Sequence, residues 1–219
     1  MAFNDKTFTI YTSTANSRKV LKRHTQILLT VTPCDQKDLF VSQTPLAWKV
    51  LDFAPQSDIS YTIVWQADPA FAIVGTETST HVSLRAFMQL GSSGVLKVMG
   101  GGTQWSSAQG RRGYVMARNE TPIPRAFTLG SVNEDDDFEG FVRFAPTPAG
   151  SAVMVEPAVM LQAYTVTGYR PGKLLSQVDS SSFIFRKFDD SPSPLNLATL
   201  QNGTALNLSS EPSGRLVLE

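Results

Sequence analysis

Few side chains in this chain of 219 residues are suited to acid–base or nucleophilic chemistry at neutral pH. The two histidines are His24, inside a basic segment, and His81, at the start of an apolar run. Neither has a His-x-His or His-x-x-x-His spacing, and one cysteine cannot form the pair that would complete a zinc site. That cysteine, Cys34, precedes Asp35, whose negative charge disfavours the reactive thiolate. No Gly-x-Ser-x-Gly segment is present. The sequence therefore predicts a protein that is not an enzyme. The alternative is an enzyme whose fold assembles His24, Cys34 or the carboxylates into a site.

Carboxylates are concentrated in the segment 134–139, in which five of the six residues are acidic. Asp135, Asp137 and Glu139 alternate as calcium ligands do, but the full loop of an EF-hand is missing. Adjacent exposed carboxylates repel one another. They also lack the apolar wall that gives the two carboxyls of a glycosidase different pKa values. The segment is predicted to be a solvated turn that protects a strand edge, with a calcium site as the alternative.

The tract from Gly91 to Gly113 contains the residue types most suited to binding a ligand. Its glycine triplet at 100–102 lacks the lysine and the helix start that a phosphate loop requires. We predict a long flexible loop that binds a ligand or a partner, with an ordinary connecting loop as the alternative. In the ligand-binding case the indole stacks on a conjugated ring, and a guanidinium donates to a carbonyl or an anion. The predicted ligand-binding residues at this end of the chain are Trp105, Arg111, Arg112 and Tyr114.

Most other aromatic side chains lie in strand-like runs, where packing in the core is their usual role. A sandwich rich in aromatic residues can still leave an apolar pocket at one end. The strand residues Trp48, Tyr61 and Trp65 are therefore a second group of predicted ligand-binding residues.

The elements that position these residues follow a period of two. In the run 81–90, for example, apolar and polar side chains alternate, which is typical of a half-buried strand. Only residues 17–26 have weak helical character, enough for one or two turns. A dozen short strands between turn-forming residues predict an all-β protein, an antiparallel sandwich or barrel with long connecting loops. The predicted strands are 7–11, 27–32, 46–53, 59–65, 70–74, 81–90, 94–98, 113–118, 138–144, 152–155, 159–166, 182–187 and 215–218.

Composition limits the partners and the compartment. Nineteen basic residues balance nineteen acidic ones, and charged residues form 17% of the chain, against roughly 25% in an average domain. This balance disfavours nucleic acid as a partner, and no run of about 18 apolar residues predicts a membrane span. A single cysteine and a start unlike a signal peptide predict the cytoplasm.

The sequence around the acidic segment 134–139 does not have the composition of a linker, so one sandwich-like domain over residues 1–219 is expected. Exposed apolar residues such as Phe87, with a net charge near zero, predict a homo-oligomer.

Two neighbouring aromatic strands resemble those of a known family. Residues 46–55, LAWKVLDFAP, lead through a Pro and Ser turn into residues 60–65, SYTIVW. The pattern resembles small cytosolic β-rich proteins of mushrooms, most nearly the pink chromoproteins of oyster mushrooms. The resemblance implies a non-enzymatic fungal protein that binds a small indolone-type pigment without a covalent bond. It implies no particular pigment-contacting position.

Two binding functions follow from these observations. The first is a binding protein that holds a small, flat, largely apolar molecule, such as a non-covalently bound organic chromophore. The alternative is a cytoplasmic lectin that uses Trp105 or Tyr114 as a stacking platform for a sugar. Absorption at wavelengths where protein does not absorb distinguishes a chromoprotein from a lectin.

Overall fold

The computed structural model describes residues 5–15, 20–33, 42–66, 68–74, 82–87, 89, 91–156, 159–175, 184, 194–211 and 213–219. These residues form seventeen strands joined by turns and irregular segments. The strands are β1 (Lys6–Tyr11), β2 (Thr25–Pro33), β3 (Gln43–Pro45), β4 (Lys49–Phe53), β5 (Ser60–Trp65), β6 (Pro69–Val74), β7 (Val82–Phe87), β8 (Ser92–Met99), β9 (Gly102–Gln109), β10 (Val115–Asn119), β11 (Thr128–Val132), β12 (Phe138–Phe144), β13 (Ala152–Val155), β14 (Val159–Val166), β15 (Leu195–Asn196), β16 (Thr204–Ser210) and β17 (Leu216–Leu218).

The strands form four sheets. Sheet I has the order β17-β16-β1-β5, sheet II β15-β14-β2-β4, sheet III β3-β12-β11-β6-β7, and sheet IV β13-β10-β8-β9. None of the four closes on itself, so the packed sheets form a sandwich-like all-β structure and the predicted fold class is confirmed. Two of the described pairings, β1 with β16 and β8 with β10, are parallel.

One apolar cluster extends through all four sheets. It includes Phe8 from sheet I, Ile27 from sheet II, Phe71 from sheet III and Leu96 from sheet IV, each fully buried. The period-two alternation explains this arrangement, because it places every second side chain of a strand on the face that packs against another sheet. The prediction of a single domain over residues 1–219 stays a prediction.

A second, smaller cluster surrounds the ring of Tyr164 in β14. It contains Leu28, Ala47 and Leu175, and the Tyr164 hydroxyl donates a hydrogen bond of 2.9 Å to Gln162 Oε1. Burial raises the pKa of Tyr164 from 10.0 to about 12, because the phenolate loses its solvation there.

This raised pKa predicts a loss of stability at high pH. Between pH 10 and 12 the unfolded chain releases the Tyr164 proton while the folded chain retains it, so stability falls as the pH rises. Two pKa units correspond to about 2 to 3 kcal/mol. Urea unfolding at pH 10 and at pH 12 should show that the free energy of unfolding falls less for Tyr164→Phe than for the wild type, by about 2 to 3 kcal/mol. Tyr114→Phe is the control, and equal slopes for all three proteins would contradict the assignment.

Several sequence predictions need correction. The tract from Gly91 to Gly113 is not a long flexible loop, because most of it forms the hairpin of β8 and β9. Residues 17–26 form no helix in their described part, since residues 20–24 are irregular and Thr25 already belongs to β2. Strands β3, β9, β11, β15 and β16 were not predicted, whereas the predicted strand 182–187 lies, apart from residue 184, outside the described residues. The side chain of Phe87, expected to be exposed, also lies outside the described part.

Candidate functional site

The hairpin of β8 and β9 positions Trp105. Gly100 and Gly101 join the two strands and have φ angles of 58° and 83°, values that favour glycine and allow a tight two-residue turn. The resulting register places Trp105 opposite Leu96, which is fully buried. Because directly opposite residues of a strand pair share a face, the indole points toward the core.

A groove runs beside Trp105, between β7 at the edge of sheet III and the hairpin at the edge of sheet IV. We call it the Trp105 groove. Its volume is about 270 Å³. The lining is mainly polar, with several hydroxyl groups and one guanidinium. The lining residues are Arg85, Ala86, Ser92, Ser93, Gly94, Trp105, Ser106 and Ser107.

Small residues keep the Trp105 groove open. Gly94 is the cross-strand partner of Ser107, next to the pair formed by Leu96 and Trp105. A glycine opposite a serine leaves space that two larger side chains would fill. The hollow beside the indole therefore follows from the register of this hairpin.

Trp105 is partly buried and offers an unused hydrogen-bond donor. Its ring packs against Phe127 with 5.6 Å between the ring centroids and an interplanar angle of 42°. Its Nε1 atom is buried and has no hydrogen-bond partner among the described residues. A buried donor without an acceptor costs about 1 to 3 kcal/mol, and the Nε1 atom of the core residue Trp65 is buried in the same way.

Arg85 is fixed at the edge of the groove. Its guanidinium donates hydrogen bonds to the backbone carbonyl and the side-chain carboxylate of Asp136, in the turn between β11 and β12. Asp136 has a φ of 65°, an uncommon value for a residue with a side chain. The contact ties this acidic turn to β7, and it places a positive charge beside the groove.

Arg111, Arg112 and Tyr114 do not line the Trp105 groove. They follow the end of β9, and Trp105 and Gln109 alone are about 13 Å apart along that strand. Both arginines are exposed, and the guanidinium carbon of Arg111 lies 4.8 Å from the centroid of the Tyr114 ring. The structure thus separates the predicted indole from the predicted guanidinium donors.

The strand aromatics occupy the core instead of the groove. Trp48 and Trp65 are 4% and 3% exposed, and both belong to the large apolar cluster. Tyr61 packs edge-on against Phe53 and donates its hydroxyl to the Asp52 carbonyl at 2.7 Å. None of the three predicted residues lines the Trp105 groove. Whether any of them contacts a ligand stays a prediction.

The carboxylates of residues 134–139 face different partners. Glu139 accepts hydrogen bonds from Trp48 Nε1 at 2.7 Å and from Lys49 Nζ at 2.6 Å. Asn133 Oδ1 accepts the backbone N–H groups of Asp135 and Asp137, which closes the turn. In the part of the chain that the structure describes, no three His, Cys, Asp or Glu residues are grouped to hold a metal ion. The segment forms the turn between β11 and β12, and the calcium alternative stays a prediction.

Of His24, Cys34 and His81, the structure describes His24 alone. His24 is exposed, with its Nε2 atom 3.7 Å from Asp52 Oδ1. Cys34 and His81 both lie outside the described residues. Arg85 and the serines of the hairpin line the groove but are not among the predicted ligand-binding residues. In the sequence, the serines of the groove are indicated only by the Ser and Gly residues on both sides of the turn in the tract 91–113. These residues become neighbours when the hairpin forms.

Comparisons with protein-family models, with curated proteins and with solved structures find no match to this chain. The resemblance to mushroom chromoproteins therefore stays a prediction. Within the described ranges, no helix has the length and apolar character needed to cross a membrane.

Proposed function

We propose that this protein is a non-enzymatic binding protein that holds a small flat molecule in the Trp105 groove. The observation that carries the proposal is the open groove of about 270 Å³ that is lined by the Trp105 indole together with Arg85 and several serines. Ligand sites commonly join an aromatic wall to a few polar groups that fix the orientation of the ligand. The Trp105 groove has both components.

The lining favours a small ligand that carries a carbonyl oxygen. Such an oxygen accepts a hydrogen bond from the Ser107 hydroxyl, while a flat ring packs against the indole. The volume of about 270 Å³ lies just below the range of about 300 to 1,000 Å³ that is usual for ligand pockets. An indolone-type chromophore has this chemistry, and we propose it as the ligand, bound without a covalent bond.

A lectin is the second candidate, and the serine-rich lining is what favours it. Three of the lining serines, Ser92, Ser93 and Ser106, already donate their hydroxyls to backbone carbonyls. The Ser107 hydroxyl can donate to a sugar oxygen, and the indole supplies an apolar wall. The two candidates differ in ligand chemistry and share one site.

The compartment and assembly of the protein are part of this proposal. We place it in the cytoplasm because it has a single cysteine, which rules out an intrachain disulfide. We also propose a homo-oligomer, since Val98, Met99 and Ile123 are each about half exposed although apolar.

Substitutions of Trp105 test the groove. Isatin, a planar indole dione, serves as the probe in calorimetric titrations, and Trp105→Phe should weaken its binding about twofold because a smaller aromatic ring remains. Trp105→Ala should weaken binding about 10- to 100-fold, because the whole aromatic contact is lost. Gln104→Ala, at an exposed neighbouring position of β9, is the matched control and should bind as the wild type does.

The same titrations distinguish the candidates. An absorption band of the purified protein at visible wavelengths, together with isatin binding, supports the chromoprotein. Saturable binding of a monosaccharide such as galactose or mannose, without isatin binding, supports the lectin. Binding of neither, or binding that is unchanged in Trp105→Phe and Trp105→Ala, would show that the Trp105 groove is not the site.

A further inference from the structure

A second and larger pocket lies on another part of the molecule. It is bounded by the start of β2, the end of β14 and the turn before β17, and its volume is about 490 Å³. None of its lining residues lines the Trp105 groove. We call it the Arg23–Arg215 pocket. It is lined by Arg23, His24, Thr25, Gln26, Thr165, Val166, Thr167, Ile184, Gly214, Arg215 and Leu216.

Ile184 joins the two sheets that form this pocket. Its backbone N–H donates to the carbonyl of Ala163 in β14 at 3.0 Å, and its carbonyl accepts the N–H of Leu218 in β17 at 2.8 Å. Its side chain is 4% exposed, and the neighbouring Val166 and Leu216 are partly buried. These three residues give the pocket an apolar component.

Two guanidinium groups give the same pocket an excess of positive charge. Arg23 and Arg215 are both exposed, and neither forms an ion pair with a described carboxylate. In the turn before β17, the backbone N–H of Glu211 donates to the carbonyl of Arg215 at 2.8 Å. Guanidinium groups bind carboxylates well because their N–H donors match the two carboxylate oxygens.

One carboxylate contacts the lining residues from outside the pocket. Asp52 Oδ1 lies 3.7 Å from His24 Nε2 and accepts a hydrogen bond of 3.3 Å from Gln26 Nε2. The other end of the Gln26 amide accepts the N–H of Tyr169 at 3.0 Å. Among the described residues, Asp52 thus contacts His24 and Gln26 and forms no ion pair with Arg23 or Arg215.

We propose that the Arg23–Arg215 pocket binds a small organic monoanion, an aromatic or aliphatic carboxylate. The carboxylate group pairs with the two guanidiniums, and the apolar body of the ligand packs against Ile184, Val166 and Leu216. This site is separate from the Trp105 groove and does not depend on the function proposed for that groove. A protein with both sites binds two ligands of different chemistry.

Calorimetric titration of the full chain with 1-naphthoate tests the proposal. The matched uncharged probe is 1-naphthalenemethanol, which has the same rings without the carboxylate. The anion should bind saturably and about tenfold more tightly than the alcohol, because only the anion pairs with the guanidiniums. This comparison uses the unmodified protein, so it tests the proposal even if a variant does not fold.

Variants then assign the binding to named residues. The double variant Arg23→Gln, Arg215→Gln should weaken naphthoate binding about tenfold, whereas the control Arg111→Gln, Arg112→Gln should change it less than about twofold. Trp105→Ala should leave naphthoate binding unchanged, which separates this site from the groove. The proposal is overturned if naphthoate does not bind saturably at millimolar concentration, if the alcohol binds as tightly, or if the two double variants weaken binding equally.

Discussion

Replacing Asn119 with alanine is expected to lower the free energy of unfolding by about 3 to 5 kcal/mol. The Asn119 side chain is fully buried at the end of β10. Its amide nitrogen donates to the carbonyls of Ile123 at 2.9 Å and Thr147 at 2.8 Å, and its oxygen accepts the N–H and hydroxyl of Thr121. Alanine leaves these buried groups without their partner, and each such group costs about 1 to 3 kcal/mol.

Urea unfolding monitored by circular dichroism measures the effect, and Asn202→Ala provides the control. Asn202 also accepts a backbone hydrogen bond, from Thr7 at 2.7 Å, but the site is exposed, so water replaces the lost partner. The control should lose less than about 1 kcal/mol. If Asn119→Ala loses no more than the control, the buried amide does not hold these segments together.

Gly130→Ala is expected to destabilise the protein by about 3 kcal/mol, the upper part of the usual range for overpacking. Gly130 is buried in β11, where the pairing with β12 shifts by one residue between Leu129 and Gly130. An added Cβ would clash with the backbone carbonyl of Glu139 and lie 2.6 Å from Phe138 Cζ. The backbone of a paired strand cannot move aside as a flexible side chain does, so the two strands must separate.

The effect of Gly130→Ala should extend to the partners of Glu139. Because Glu139 accepts hydrogen bonds from Trp48 and Lys49, a displaced β12 should also alter the near-ultraviolet signal of Trp48. Gly102→Ala is the matched control, since its nearest contact would be Met99 O at 4.0 Å. Chemical unfolding of the three proteins checks the prediction, and equal stabilities for the two variants would refute the close contact in β11.

The alternation of apolar residues was sufficient to predict most strands that have a buried face. Strands β5, β12 and β14 lie within about a residue of their predicted bounds, because period two is a local property of each strand. Strand β9 was missed because its sequence, GTQWSSAQ, contains little apolar alternation. It is an edge strand, paired among the described strands only with β8, and six of its eight residues are polar or glycine.

The predicted ligand-binding residues also show that local sequence does not reveal which residues meet in space. Trp105 was singled out by its residue type, and the structure places it beside a groove. The prediction joined Arg111 and Arg112 to Trp105 because they are close to it in sequence. An extended strand rises about 3.3 Å per residue, so residues a few positions apart in sequence lie far from one another in space. Arg85 was not considered, although it reaches the groove from a different sheet.

The sequence alone determined the fold class, through alternation and turn residues, and it determined which side chains are able to serve as donors or aromatic walls. These properties depend on neighbouring residues only. The tertiary structure decided which of those side chains meet, because the Trp105 groove is formed by the edges of sheets III and IV. The Arg23–Arg215 pocket likewise joins residues from opposite ends of the chain. Strand order and register set such juxtapositions, and both depend on long-range packing that short sequence patterns do not encode.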